Sequence, residues 1–409
     1  MINHEINHDA SIISERHVGR RTVLLGTVGA LVAVEVGHPA RSAAATTAAA
    51  SPRHPRFDKV LAHQLQRVLD DAVRAPGLPF PGGILHVHGA TLGTWTGVAG
   101  LGRLAPDVPM HAIDRFRAGS IAKPFVSVAV LQLAERGRLS LDARLTSVLP
   151  LSVVGRFPTA ADISVRMLLS HRSGIPDWLT PAVNDEIAHH PDKIWTVAEI
   201  LEIAAAQPPL FPPGTSYSYS NTNYNLLGLI IERVTGRSWR DQVTRRVIDP
   251  LDLKRTTLPA PGDRFLTGAY AHGYGEVDGR TVDLTDIDPS MAGAAGGGAL
   301  VTTVQDLSGF LDSLLAGHLF SKRDTLRQML TFLPAPDGGG QVGYGLGIIQ
   351  RLLPGGIEMI DHSGLTAGYS AYVGRLVGRP ITVASVLNWE QDPSPLLVPA
   401  IQLLAAAHP

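Results

Sequence analysis

Strand-like runs lie near both ends of this chain, and helical patterns fill the middle. Ile84 to Gly89 and Leu92 to Val98 read as strands on the N-terminal side. Val342 to Leu352, Gly356 to Asp361, Ser370 to Val377 and Ile381 to Asn388 read as strands on the C-terminal side. Segments so distant share a core only if one sheet is assembled from both ends, with the middle inserted as a helical lobe. Phe57 to Ala75 reads as an amphipathic helix with Val60, Leu61, Leu65, Val68 and Leu69 on its apolar face, and Ser394 to Ala407 closes the chain as another. Helix patterns at Val197 to Ala206, Asn225 to Thr235 and Val304 to Leu315 are separated by Pro- and Gly-rich turns. The expected class is α+β, with the inserted lobe over residues 140 to 300 or so. At 409 residues and 44% apolar content, the chain is long enough to bury a large core or two lobes.

The chemistry concentrates in three short segments. Ser120-Ile121-Ala122-Lys123 places a lysine three residues after a serine, in a chain with only five lysines. Tyr219-Ser220-Asn221 and His362-Ser363-Gly364 follow it in order. A serine hydroxyl is a poor nucleophile until a neighbouring base takes its proton. If Ser120 opens a helix, Lys123 lies one turn on and on the same face. The run Phe125 to Ala134 is apolar enough for that helix to be buried, and burial disfavours the charged form of lysine, leaving an amine able to act as a base. A helix N-terminus also aims free N–H groups at developing negative charge. Tyr219 offers a second proton carrier, and Asn221 offers a donor and an acceptor to orient substrate or Lys123. Gly364, on a strand edge, lets a substrate backbone come close, and Ser363 adds a hydroxyl.

S-x-x-K, a polar triplet ending in Asn and a [Lys/His]-[Ser/Thr]-Gly triplet are together the site elements of penicillin-recognising serine enzymes. The chain resembles the serine β-lactamase-related family, in particular serine D-Ala-D-Ala carboxypeptidases and class C β-lactamases. The similar segments include Phe116 to Leu141, Met167 to Gly174, Pro213 to Gly228, Gly298 to Phe310, Tyr344 to Gly347 and His362 to Tyr369. The resemblance implies a β-lactamase/transpeptidase-like fold: an antiparallel sheet flanked by the N- and C-terminal helices, with the site in the cleft beside the helical lobe. It implies that Ser120 is acylated, that Lys123 and Tyr219 carry protons, and that Asn221 and His362 position them. Ser363, Gly364 and Leu365 belong to the substrate-binding edge, and the backbone N–H groups of Ser120 and Leu365 form the oxyanion hole. The expected activity is that of a serine hydrolase, first as a D-Ala-D-Ala carboxypeptidase on peptidoglycan stem peptides, alternatively as an esterase or β-lactamase. A catalytically silent binding protein on this fold is the reading from a different class.

Two departures bear on the substrate. The carboxypeptidases commonly carry a hydroxyl residue where this chain has Leu365, with Thr366 one place later. They also carry an arginine soon after the Tyr-Gly-Leu-Gly segment, where this chain has Ile348 and Ile349 before Arg351. On a strand Arg351 shares a face with Ile349, which keeps it within reach of the cleft.

Other features set limits. A formal net charge of −1 gives no electrostatic case for nucleic acid. The absence of cysteine excludes disulfides, thiol catalysis and cysteine metal sites. His4-Glu5-Ile6-Asn7-His8 matches a zinc-protease pattern, but it lacks an apolar helix and precedes the segment Arg20-Arg21-Thr22-Val23-Leu24-Leu25-Gly26, which resembles a twin-arginine export signal. The apolar stretch from Val23 to Val36 is too short for a membrane span. Residues 1–52 therefore read as an export signal and Ala-rich linker, and 53–409 as the hydrolase domain. His86 and His88 share a strand face without a third ligand, and His171 reads as structural, holding the loop at Ser173-Gly174. No metal or other cofactor is expected; the partner is a small-molecule or peptide substrate.

Overall fold

The sheet expected from the two ends of the chain is present and antiparallel throughout. Its strands are β1 (Gly82–Gly89), β2 (Gly93–Leu104) and β3 (Asp107–Pro109) from the N-terminal side. Four shorter strands follow: β4 (Phe116–Arg117), β5 (Tyr274–Val277), β6 (Arg280–Asp283) and β7 (Val301–Thr302). The C-terminal side adds β8 (Leu333–Asp337), β9 (Gln341–Tyr344), β10 (Ile349–Leu353), β11 (Ile357–Thr366), β12 (Tyr369–Leu376) and β13 (Ile381–Leu387). The nine-stranded order is β3-β2-β1-β13-β12-β11-β10-β9-β8, while β4 pairs with β7 and β5 with β6. The computed structural model describes residues 55–75, 80–292 and 299–407, which belong to one compact unit, His54–Pro409. The export segment, the Ala-rich linker and most of the glycine-rich stretch Ala292 to Gly298 lie outside the described residues.

Both faces of the sheet are covered, which is why β13 is buried at every position and not in alternation. On one face, the helices Lys59–Arg74 and Ser394–Ala407 pack on Leu85, Val87, Val383 and Leu387. Asp58 caps the first of these, accepting from Leu61 N at 2.8 Å. Its buried stripe is Leu61, Leu65, Leu69 and Ala72, while Val60 is 68% exposed and lies off the face assigned to it from sequence. On the other face, the helix Ala122–Glu135 is buried along nearly its whole circumference, and Phe125 stacks on Phe310 of the helix Val304–Leu315. The intervening lobe carries the helices from Leu145–Val148 to Trp239–Val243.

Three boundaries differ from the sequence expectation. The run Val342 to Leu352 is not one strand: β9 and β10 are separated by a turn in which Gly347 has φ +87°. A Cβ there would lie 1.9 Å from Ser127 Oγ, so only glycine lets this turn rest on the central helix. The helix expected at Asn225 begins at Asn221, because its polar first turn is buried and bonded inward. Thr222 Oγ1 donates to Pro176 O at 2.8 Å, and Ser173 Oγ donates to Asn223 Oδ1 at 2.6 Å. Finally, β11 runs on to Thr366, but β10 opposes it only from Ile357 to Asp361. Beyond Asp361 it pairs with β12 alone, so His362-Ser363-Gly364 lies along an open edge.

Candidate active site

Ser120 sits in a tight turn, Gly119–Ile121, that leads into the helix Ala122–Glu135. The turn is pressed against the open edge of β11. Gly119 has φ +55°, and a Cβ there would lie 2.7 Å from Leu365 O. A Cβ on Gly364 would meet Ala118 O at 2.0 Å and Ser120 N at 3.0 Å. Bare backbone on both sides is what brings the serine turn and the Ser363–Leu365 edge together.

Lys123 lies on the first turn of the helix and is fully buried. Its Nζ is 2.8 Å from Ser120 Oγ and donates to Asn221 Oδ1 at 2.7 Å. Burial pulls its pKa down to about 7, with the Asp177 carboxylate pulling the other way. Asn221 is itself fixed, since its Nδ2 donates to Asp177 Oδ2 at 2.8 Å. The ammonium position lies over the Tyr219 ring, 4.8 Å from its centroid. Burial pushes the Tyr219 phenol well above its ordinary range, and a hydrogen bond with the Ser120 side chain offsets part of that. The four residues Ser120, Lys123, Tyr219 and Asn221 thus form one connected cluster.

His362 takes a different part from the one expected. Its Nδ1 lies 2.7 Å from Ser363 O, an acceptor only, so Nδ1 carries the proton. Nε2 then accepts from Tyr344 Oη at 3.2 Å. Burial lowers its pKa to about 3, so the ring is neutral. Both nitrogens are committed, and His362 orients Tyr344 and the β11 edge instead of bonding to Lys123 or Tyr219. His171 does more than hold its loop. Its Nδ1 accepts from Ser220 N at 3.1 Å, and its ring stacks on Tyr219 with centroids 4.3 Å apart. Burial holds this ring well below its ordinary pKa too. His171 and Tyr344, which meets His171 edge-on, form the aromatic bed under Tyr219. Asp177 was not expected; nothing in its local sequence marks it as the anchor of Asn221.

Two cavities open beside the cluster. One of about 540 Å³ is lined by Ser120, Tyr219, His362, Ser363, Gly364 and Arg351 among others. A second of about 360 Å³ shares Leu179, Asn221 and Leu365 with it. Leu365 stands between them, 51% exposed. Arg351 reaches the first cavity, as its strand position implied, but its guanidinium is engaged. Nε and one terminal nitrogen lie 2.8 and 3.0 Å from the Asp361 carboxylate, and the other donates to Gly339 O at 2.6 Å. His86 and His88 bond to Thr96 and Thr94 at 2.8 and 3.0 Å. Among the described residues no group of three His, Asp or Glu is placed to hold a metal ion, and no helix is long and apolar enough to cross a membrane.

Comparison with known proteins agrees with this geometry. Residues 70–407 match the family described as Beta-lactamase. Esterase EstB of Burkholderia gladioli is 28% identical, over 83% of this chain and 93% of the esterase. Penicillin-binding protein 4 of Amycolatopsis lactamdurans is 31% identical over 52% of this chain, which spans 55% of that relative's length. A D-stereospecific amidohydrolase from Streptomyces sp. superposes with a TM-score of 0.73 at 32% identity, covering 82% of this chain and 97% of that one. The D-amino acid amidase of Ochrobactrum anthropi, complexed with D-phenylalanine, gives a TM-score of 0.73 at 26% identity, over 85% of this chain and all of its own. With the family matched over most of its length and the fold shared, the chain belongs to the serine β-lactamase-related family.

Proposed function

We propose that Ser120 is the nucleophile of an acyl-transfer reaction on a small amide or ester. The observation that carries this is the Lys123 amine, buried without a carboxylate contact, 2.8 Å from Ser120 Oγ. As Oγ forms its bond to the substrate carbonyl carbon, its proton passes to the neutral amine of Lys123. The carbonyl oxygen becomes an oxyanion, met by the backbone N–H groups of Ser120 and Leu365. Collapse breaks the bond to the leaving group, which takes a proton relayed through Tyr219. Water then attacks the acyl-enzyme by the same route, restoring Ser120 and releasing the acid. Asn221 holds the amine in line, and His362, Ser363 and Gly364 keep the β11 edge against the serine turn.

The leaving-group side favours an uncharged group. The cavity around Ser120 includes the exposed carboxylates Asp337 and Asp392, and its one arginine is engaged by Asp361. That arrangement suits an amide or ester better than a peptide ending in a free carboxylate, and the esterase and amidohydrolase similarities point the same way. The second reading is the D-Ala-D-Ala carboxypeptidase, which the polar run Tyr217 to Tyr224 and the similarity to penicillin-binding protein 4 favour. Export through the twin-arginine-like segment belongs to the same proposal. Intact mass after incubation with a penicillin and with a p-nitrophenyl ester, beside Ser120→Ala, tests the nucleophile. Ester turnover that needs Ser120, without D-Ala release from an acyl-D-Ala-D-Ala peptide, is the expected result. D-Ala release by the wild type alone moves the assignment to the carboxypeptidase, and no adduct or turnover with any of the three sinks the acyl-enzyme.

A further inference from the structure

His171 combines two unfavourable features. Its backbone is left-handed, with φ +56°, a conformation uncommon for a residue with a Cβ. Its ring is fully buried and carries a polar atom without a partner. Ser220 N is a fixed donor, so the Nδ1 it reaches at 3.1 Å presents a lone pair and the proton sits on Nε2. Asn223 agrees with that tautomer. Its Oδ1 accepts from Ser173 Oγ at 2.6 Å, which turns its Nδ2 toward the same Nδ1 at 3.2 Å. The Nε2–H then meets no acceptor among the described residues, and the rings of Tyr219, Tyr224 and Tyr344 pack about the imidazole. A left-handed residue and an orphaned buried N–H each cost free energy. Where such features sit against reacting groups, they mark a geometry held for function.

What His171 holds is Tyr219. That residue lies between the helices Val197–Ala205 and Asn221–Thr235 and belongs to no strand or helix. The N–H before it, of Ser218, donates to His171 O at 3.0 Å, and the N–H after it, of Ser220, donates to His171 Nδ1. The imidazole lies against the phenol ring, with 29° between their planes. One residue thus grips Tyr219 through both backbone neighbours and through its ring. We propose that His171 is a positioning residue for proton transfer to the leaving group: its carbonyl and its Nδ1 lone pair fix the backbone on both sides of Tyr219 and so hold the phenol at the Ser120 side chain. The inference rests on the reading of Tyr219 as a proton carrier in acyl transfer at Ser120. His171 lines neither cavity, so it acts through Tyr219 and not on substrate. A misplaced phenol has a selective consequence. Attack by Ser120 still has its base in Lys123, but expulsion of a basic leaving group lacks its proton.

The test uses p-nitrophenyl, phenyl and trifluoroethyl acetate, one acyl group on leaving groups of rising basicity, with wild type, Tyr219→Phe, His171→Phe, His171→Asn and Asn223→Asp over a Ser120→Ala background. The readout is how steeply kcat/KM falls along the series, taken within one preparation so that any inactive fraction cancels. His171→Phe keeps a ring but removes the acceptor. It should lose about a hundredfold or more on the trifluoroethyl ester, the scale of a positioned acid, and only several-fold on the p-nitrophenyl ester. Asn223→Asp leaves the imidazole in place but draws a proton onto Nδ1, and should steepen the series in the same way. His171→Asn keeps an oxygen acceptor and tolerates the positive φ, so its slope should stay near that of the wild type. Equal losses on all three esters, a wild-type slope in Asn223→Asp or in a folded His171→Phe, or a slope in His171→Asn as steep as in His171→Phe overturns the inference. Tyr219→Phe separates the two readings. If it steepens the series and the His171 and Asn223 variants do not, His171 alone is misassigned. If Tyr219→Phe leaves the slope unchanged, the Tyr219 relay falls and the inference falls with it.

Discussion

Lys123 and Arg351 are both cations taken out of water near Ser120, and they end in opposite states. The polar atoms touching Lys123 Nζ belong to neutral side chains, Ser120 and Asn221, and the nearest carboxylate acts on it through Asn221. Burial therefore wins, and the amine falls to about 7. Arg351 meets a carboxylate with two nitrogens, so its pKa stays above the ordinary value despite burial. Burial pushes Asp361 up, and Arg351 and Tyr372 pull it back. A buried cation without a touching counter-ion becomes a base, and one with a touching counter-ion becomes a strut. Here the strut braces β10 against β11.

Several changes break or sharpen this contrast. Lys123→Met removes the base from an intact pocket. Turnover of an activated ester should fall about a thousandfold or more, with thermal stability unchanged or raised, since a buried amine is costly. Arg351→Met leaves Asp361 alone in the interior and should cost about 3–5 kcal/mol in urea unfolding, and pairing it with Asp361→Leu should recover most of the loss. Gly364→Ala touches neither cation but drives backbone against backbone at Ala118. Its kcat should drop by about a hundredfold, the scale of a lost oxyanion contact. A lysine base works only when deprotonated, so kcat/KM should fall tenfold per pH unit below about 7 as Lys123 regains its proton. The smallest effect belongs to Asp177→Asn. The asparagine can still accept from Asn221, but the charge that holds Lys123 up is gone, so the acid limb should move to lower pH.

The parts of the site legible in the sequence are those whose chemistry is local. Ser120 and Lys123 are one helical turn apart, so spacing alone puts them in contact. The terminal helices and the strands Ile84 to Gly89 and Ile381 to Asn388 were readable because length and apolar content agree there. What escaped depends on distant partners. Asp177 meets Asn221 only because the Pro176–Trp178 loop hydrogen-bonds to Thr222. The polar turn before Asn225 looks like a loop by composition and is helical because His171, Ser173 and Pro176 satisfy its side chains. The engagement of Arg351 by Asp361 is a register effect between two strands, invisible until β10 and β11 are aligned.

The adjacency of β1 and β13 has a consequence for how the chain is made. Gly83 is opposite Leu387, so inside the sheet the first strand is joined directly to the last. Contacts of such long sequence separation slow folding and cannot form on a nascent chain until its C-terminal segment has emerged. Until then β1 presents an unpaired edge, and the apolar stripe of the Lys59–Arg74 helix lacks the Ser394–Ala407 helix it packs beside. A fragment ending before Ile381 loses the neighbour of β1 and of β12 at once, so truncation there divides the sheet in two where loss of an edge strand would only narrow it.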